Sequence, residues 1–451
     1  MAAQPHNIVG LSSPIAARAL TILNDLNLNS TNSPTLNAGG QNVEVKGDFT
    51  ISSGATYTPG SNTTIFSGTS AQAFDNSGTI TAGLYKFKVN KSAGTLNLGG
   101  SVTDYTVTDS LIISQGTLDD GGMTINVAGN IYTAGTHTGS GKITLNASVL
   151  QTIEASSIGS PSLGNLEVNN GNGTAGFVAT QLLSDLTVNT LILTSDHIFD
   201  IGVNGLTVNT NPISGGTFSA TRMILTAGNS SDGGLTVGIS GNYPANTTIA
   251  VFPVGTAYGY TATEIRTNAS GASGNLSGNH TIIPVNSTHP AATIGGFAIP
   301  YYWRSKTSIT GANNTNIDIR YTYYTVPPSF TFWFFFTAYY HPWLIDATGA
   351  TDMGNNVSSQ SLVPFIGIGF IDSDYSVGAT AFGISPFNLF VRTLYSRDAA
   401  PLPRDWNDRF SWSETGHGGG AAVDYPNAQD NVCLLYTSPS PRDRTRSRMP
   451  S

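Results

Sequence analysis

Short alternations of apolar and polar residues follow one another along most of this chain, each roughly four to six residues long and closed by Gly, Asn or Ser. Alternation with period two puts apolar side chains on one face of an extended strand, and the Gly and Asn between strands supply turns. Long patterns of helical period are nearly absent, and the one stretch that admits a short helix is 15–26. The pattern predicts an all-β protein.

The alternations are not independent of one another. The stretch LDDGGMTINVAGNI (118–131) has a second copy in LNAGGQNVEVKGDF (36–49) and a weaker third in FDIGVNGLTVN (199–209). Val43, Ile125 and Leu206 are then equivalent, about 82 and then 81 residues apart, and other landmarks keep step. Gln72 returns as Gln151, Phe87 as Leu166 and Leu111 as Leu191. Strands this short cannot bury a face alone, whereas stacked coils give inward Val, Ile, Leu and Phe a continuous core. A β-solenoid-like repeat region is expected over 1–230, with tandem β-sandwiches as the competing architecture. From 231 to 392 the repeat gives way to longer, more aromatic strands, as in a β-sandwich-like module. Residues 393–431 read as the start of a further module.

Composition narrows the classes. The chain has 451 residues, 39% of them hydrophobic and only 10% charged, with 51 Gly, which suits neither disorder nor a membrane span. A formal net charge of −8 argues against a nucleic-acid partner, which rewards clustered Lys and Arg. No basic and apolar leader follows Met1. The last stretch changes character: CLLYTSPSPRDRTRSRMPS (433–451) resembles the in-frame translation of a sequencing adapter, so 432–451 is expected to be foreign and the native chain to be a fragment. Without residues 433–451, Lys+Arg falls from 19 to 15, Asp+Glu from 27 to 26 and the net charge to −11. The single Cys, Cys433, goes with them, leaving no thiol or disulfide chemistry.

The repeat units TINVAGN and DFTISSGATYTPGSNTTIFSGTSAQAF resemble stretches of large surface and secreted proteins of Bacteroidota, which typically leave the cell by type IX secretion. The likeness extends to Phe252-Pro253-Val254-Gly255, to Tyr301-Tyr302-Trp303, to a turn-like segment at 370–375 and to the region 406–430. These motifs are structural and mark no active site. The resemblance implies a secreted or cell-surface location with adhesive, gliding-associated or display roles.

Each residue set that hints at chemistry has a plainer explanation. Gly416-His417-Gly418-Gly419-Gly420 is an HGGG-like loop of the kind that binds an oxyanion, but no Gly-x-Ser-x-Gly nucleophile elbow accompanies it. Gly139-Ser140-Gly141-Lys142 falls short of a phosphate loop, since Thr136 replaces the first Gly and Ile143 the final Ser or Thr, so a turn is expected. The seven His (6, 137, 197, 280, 289, 341 and 417) show no ligand spacing for zinc. Asp372, Asp374 and Ser376 form an oxygen cluster that calcium favours, but without the Gly or closing acid of a calcium loop an acidic turn is expected. The apolar run 330–343 is a buried strand pair, a frameshifted stretch within 326–345, or an aromatic surface for sugars. Trp303, Trp406 and Trp412 could stack on sugars but are expected in the core.

The expected function is a non-catalytic structural or adhesive segment of an exported surface protein, with glycans or other surface components as partners, no membrane span, and no catalytic, cofactor or metal residues assigned. A polysaccharide-degrading β-helix enzyme and a glycan-binding module are the alternatives. The enzyme would need paired carboxylates along one face, and here Asp and Glu are sparse and scattered.

Overall fold

The computed structural model describes residues 19–29, 33–157, 160–267, 275–287 and 301–311, and shorter stretches at 6–7, 317–324, 341–346, 349–352, 357–359, 368–374, 381–385, 393–397, 409–413, 415, 417–418, 421 and 431–433. It is all-β, and stacked coils form a β-solenoid of about nine turns. The alternation explains the coil. Leu20–Ile22, Leu26–Leu28 and Thr35–Asn37 are strands of three residues separated by corners, and they open three faces. Each pairs in parallel with the strand one turn later: Val43–Val45 on the first face, Phe49–Ile51 on the second and Thr56–Thr58 on the third. Of the expected helix, 15–26, residues 15–18 lie outside the described residues and the rest instead enters the first two of these strands at Leu20 and Leu26. Its apolar spacing came from two strands meeting at a corner, where residues three or four apart both point inward.

Inside, Leu26, Leu28, Val43, Val45, Phe49 and Ile51 are fully buried, and the same pattern continues up the stack. Outside, hydroxyls align. On the second face Thr95, Thr117, Thr136, Ser162, Thr187, Thr207 and Thr236 occupy successive in-register, half-exposed positions. At the corners, where the backbone ladder is interrupted, a side-chain oxygen just ahead of a strand takes over. Asp25 Oδ1 accepts from Asp48 N (2.9 Å), Asp48 Oδ1 from Ala73 N (2.8 Å), Asn130 Oδ1 from Thr152 N (2.9 Å) and Asp185 Oδ1 from Gly205 N (2.7 Å). Where coils pass closest no side chain fits. A Cβ on Gly129 would lie 1.5 Å from the Asp109 carbonyl oxygen.

The long repeat is visible in three dimensions, but its copies do not stack on one another. Val43 stands on the first face, Ile125 on the third and Leu206 on the second. Gln72 moves from the second face to the first at Gln151, and Phe87 and Leu111 from the first face to the third at Leu166 and Leu191. One copy therefore spans three turns and two further faces, and the next begins rotated by one face about the axis. Local structure is kept through the rotation. The Gly pair is left-handed in both strong copies, Gly39 and Gly40 at φ 60° and 78°, Gly121 and Gly122 at 61° and 87°. Turn bonds also match: Gln41 N to Ala38 O and Met123 N to Asp120 O, 2.9 and 3.0 Å.

The parallel stack runs past 230, to the pairing of Ile224 with Val254. Gly234–Gly241 belongs to two structures at once. It pairs in parallel with Gly205–Val208 of the solenoid and antiparallel with Leu276–Val285, which pairs in turn with Tyr302–Thr307. A second antiparallel sheet holds Thr248–Phe252, Thr263–Thr267, Ile317–Tyr324, Ile368–Asp374 and Val357–Ser359. Trp303 joins the two sheets: its indole N–H donates to Thr261 O (2.8 Å) and its ring lies 5.1 Å from that of Tyr321. Thr393–Ser396, Trp412–Ser413 and Asn431–Cys433 form a small separate sheet. Among the described residues no helix is long and apolar enough to cross a membrane.

The early turns are aromatic at the centre. Phe74 is fully buried, with ring centroids of Phe49 at 5.1 Å, Phe66 at 5.0 Å and Tyr105 at 5.1 Å. We expect Phe74→Ala to destabilise the solenoid by about 3–5 kcal/mol, read as a lower denaturant midpoint, because coils pinned on both sides cannot close the cavity.

Candidate functional site

A fault in the third-face ladder opens a cleft. Thr79–Ile80 pairs with Thr56–Thr58 below it. The strand that should continue the face, within Asp104–Asp119, joins the turn beneath only through Leu84 and Val107. Between them the chain turns outward through Ala82 (φ 60°) and Gly83 (φ 77°), and Gly83 N donates back to Ile80 O at 3.3 Å. Gly is required at 83 for space as well as φ, since a Cβ there would lie 2.7 Å from the Thr106 carbonyl oxygen. The result is a cleft of about 440 Å³.

Ile80, Val102 and Tyr105 make the apolar side of this cleft, and Asn76, Thr79, Asp104 and Thr106 the polar side. Tyr105 is held rigidly, its hydroxyl placed 2.8 Å from both the Phe74 and Gly99 carbonyl oxygens, and burial pushes that hydroxyl's pKa up. Asn76 is 5% exposed. Its Oδ1 accepts from Gly78 N (3.1 Å), while its NH₂ has no partner among the described residues. Asp104 is exposed and accepts from the Thr103 hydroxyl at 3.2 Å. The lining offers one carboxylate, two hydroxyls and an amide. Glycoside hydrolysis ordinarily needs two carboxylates facing each other.

The other concentrations of polar groups are enclosed. His137 and Asp120 are buried together, Nε2 to Oδ2 at 3.1 Å. Gly164 N donates to His137 Nδ1 (3.0 Å), which leaves the ring proton on Nε2, facing the carboxylate. Asp120 Oδ1 accepts from Gly122 N and Gly141 N, both 2.8 Å. Burial pushes the Asp120 carboxyl up, but His137 and those two amides outweigh it and hold it below the ordinary range. Both imidazole nitrogens thus face groups of the wall, and both side chains are fully buried, so no substrate can reach them.

Lys91 is a second enclosed group. Its ammonium donates to Gly68 O (2.8 Å), Ser70 O (2.7 Å) and Gln72 Oε1 (2.6 Å). Burial pushes its pKa down, with Asp48 opposing. One repeat later Asn170 does the same work, donating to Val149 O and Gln151 Oε1, both 2.8 Å. Replacement of an amine by an amide in the same plug marks the position as structural. In the sandwich His280 is buried against Phe252, with Nε2 3.0 Å from Ser305 Oγ. Burial alone pushes its pKa down to about 3.

Most of the residues singled out in the sequence stand apart from the cleft. Gly139–Gly141 is a corner leading into the strand Lys142–Leu145, as expected for a turn, and Lys142 pairs with Glu167. Asp372 and Asp374 are not in a turn: they lie in the strand Ile368–Asp374, opposite Arg320 and Asp318. His417 Nδ1 lies 2.7 Å from Ser396 O; Gly416, Gly419 and Gly420 lie outside the described residues. So do 330–340 of the apolar run, His289, Ser376 and Trp406, while residues 341–343 open the strand His341–Asp346. Trp303 and Trp412 are buried, which removes both from any sugar-stacking surface. The cleft, the Asp120–His137 pair and the Lys91 plug had no reading in the sequence. The available signals were the Ala-Gly interruption after Ile80, and Lys91 and His137 at inward positions of their strands.

No protein-family model matches the chain, and no curated protein or solved structure matches it.

Two substitutions test these readings. We expect Asp120→Asn to destabilise the fold by about 1–3 kcal/mol in chemical denaturation, since an amide cannot accept from two backbone N–H groups and the His137 N–H at once. For His280, the unfolded state takes up a proton near pH 6.5 and the folded state only near 3. Stability should therefore fall as pH drops from about 6.5 towards about 3, and melting curves of His280→Leu should lose that part of the slope.

Proposed function

We propose that this chain is a non-catalytic structural and adhesive segment of an exported cell-surface protein, in which the solenoid acts as a stiff spacer. The carrying observation is the strand Gly234–Gly241, paired with the solenoid on one edge and with the following sheet on the other. A spacer joined through a shared strand has no linker to bend, so load passes through backbone hydrogen bonds. About nine turns at roughly 4.8 Å each give a stack on the order of 40 Å. The hydroxyl ladder on the second face keeps one side of the stack hydrated, and the acidic balance of the chain favours solubility. Likeness of the repeat units to surface proteins of Bacteroidota supports the location, and type IX secretion is the route that goes with it.

In intact cells producing the protein, a membrane-impermeant biotin reagent should label it; recovery only in the unlabelled cytosolic fraction would sink the surface assignment. Sustained release of reducing sugar from a polysaccharide panel would overturn the non-catalytic one. For the junction, Val237 pairs with Val208 on one side and His280 on the other. We expect Val237→Pro, which removes one ladder N–H and puts a ring into a strand paired on both edges, to weaken the junction and split a single unfolding transition into two, with new protease cleavage near 234–241.

A further inference from the structure

We propose that the third-face cleft is a subsite for a neutral saccharide. This rests on the adhesive reading above and gives that reading a ligand and a place. The solenoid has no need of the fault to close its coil. The next turns of the same face pair in register, Tyr105 with Ile125 and Ile125 with Ile143. At the fault a non-Gly residue, Ala82, is held at φ 60° and a strand edge is left open, two local departures that the fold would be rid of by simple continuation of the ladder.

The lining says what kind of molecule fits. Asn76 is nine-tenths buried, and its NH₂ has no partner among the described residues where it meets the cleft, so it offers a directed donor. Asp104 offers an acceptor, and the hydroxyls of Thr79 and Thr106 serve as either. Sugar hydroxyls both donate and accept, and they match this mixture. The C–H face of a pyranose matches the half-buried Ile80 and Val102. No Lys or Arg lines the cleft, and Asp104 stands at its edge, which disfavours an anionic ligand. The volume, about 440 Å³, falls within the roughly 300–1,000 Å³ of small-molecule pockets. A longer chain lying along the stack would meet half-exposed side chains on both sides, Thr56 and Thr58 below and Thr124 and Asn126 above.

The full chain should be applied to an array of neutral and acidic glycans, and the best neutral oligosaccharide then titrated by calorimetry. Asp104 and Thr106 are exposed, so Asp104→Ala and Thr106→Trp should leave the melting temperature unchanged. We expect each to weaken binding about tenfold or more, the first by removing an acceptor and the second by filling the cleft. Absence of binding to any neutral glycan overturns the proposal. So does preference for acidic glycans, or binding that survives both substitutions; the last would put the ligand elsewhere and leave the adhesive role standing. Surface labelling is read independently of all three, so failure of the location and failure of the cleft are told apart.

Discussion

A strand of three to five residues has too little surface to fold alone, and everything in this protein follows from the way that deficit is met. Each strand is completed by the one a turn later, which supplies hydrogen-bond partners along the axis and a neighbouring layer of inward side chains. Leu26 and Leu28 are fully buried only because Phe49 and Ile51 stack on them in register. Stability in such a stack is nearly a sum over adjacent coils. That is why corner oxygens such as Asp25, Asp48 and Asn130 matter: they extend the axial bonding through places where the backbone has turned away. It is also why Gly129 admits no substituent, since axial spacing is set by the ladder and not by the side chain.

How much of this could be read in the sequence depended on whether the signal was periodic. Alternation, glycine corners and the internal repeat led to an all-β solenoid followed by a sandwich, because each is written many times over. Face assignment was not legible. Val43 and Ile125 look equivalent in sequence and their local turns are alike, yet they stand on different faces, because the repeat length is not a whole number of turns. The helix expected over 15–26 failed for a related reason: residues on either side of a corner share an inward direction and imitate a helical spacing. Asp372 and Asp374 were misread as a turn because acidic residues favour turns in general, while pairing with the strand Ile317–Tyr324 decided the matter here. Single-residue features, such as Lys91 meeting Gln72 across the coils, leave no periodic trace.

The Lys91 plug shows what the rotation of the repeat preserves. Gln72 and Gln151 each bond through their amide to two carbonyl oxygens of the preceding coil, and each accepts from a backbone N–H four residues earlier. A cation completes the plug in one copy and an amide in the other. An ammonium with three acceptors is satisfied although buried, and Asn170 meets two of the equivalent acceptors without a charge. Conservation of geometry through a change of chemistry is the mark of a fold constraint.

The fault also has to be tolerated mechanically, and the core shows how. Aromatic rings are concentrated in the turns on either side of it. Phe49, Phe66, Phe74 and Phe87 touch in sequence, and Tyr105 reaches back across the interruption to the carbonyl oxygens of Phe74 and Gly99. Large rings bury more area per residue than the aliphatic side chains that fill the later turns, and Tyr105 adds a hydrogen bond in the axial direction where the third-face ladder is reduced to the pair Leu84 and Val107. Inward packing thus replaces outward pairing over this part of the stack. The open edge can face solvent, or a ligand, without loosening the coils that carry it, because what holds those coils together has moved from the surface to the centre.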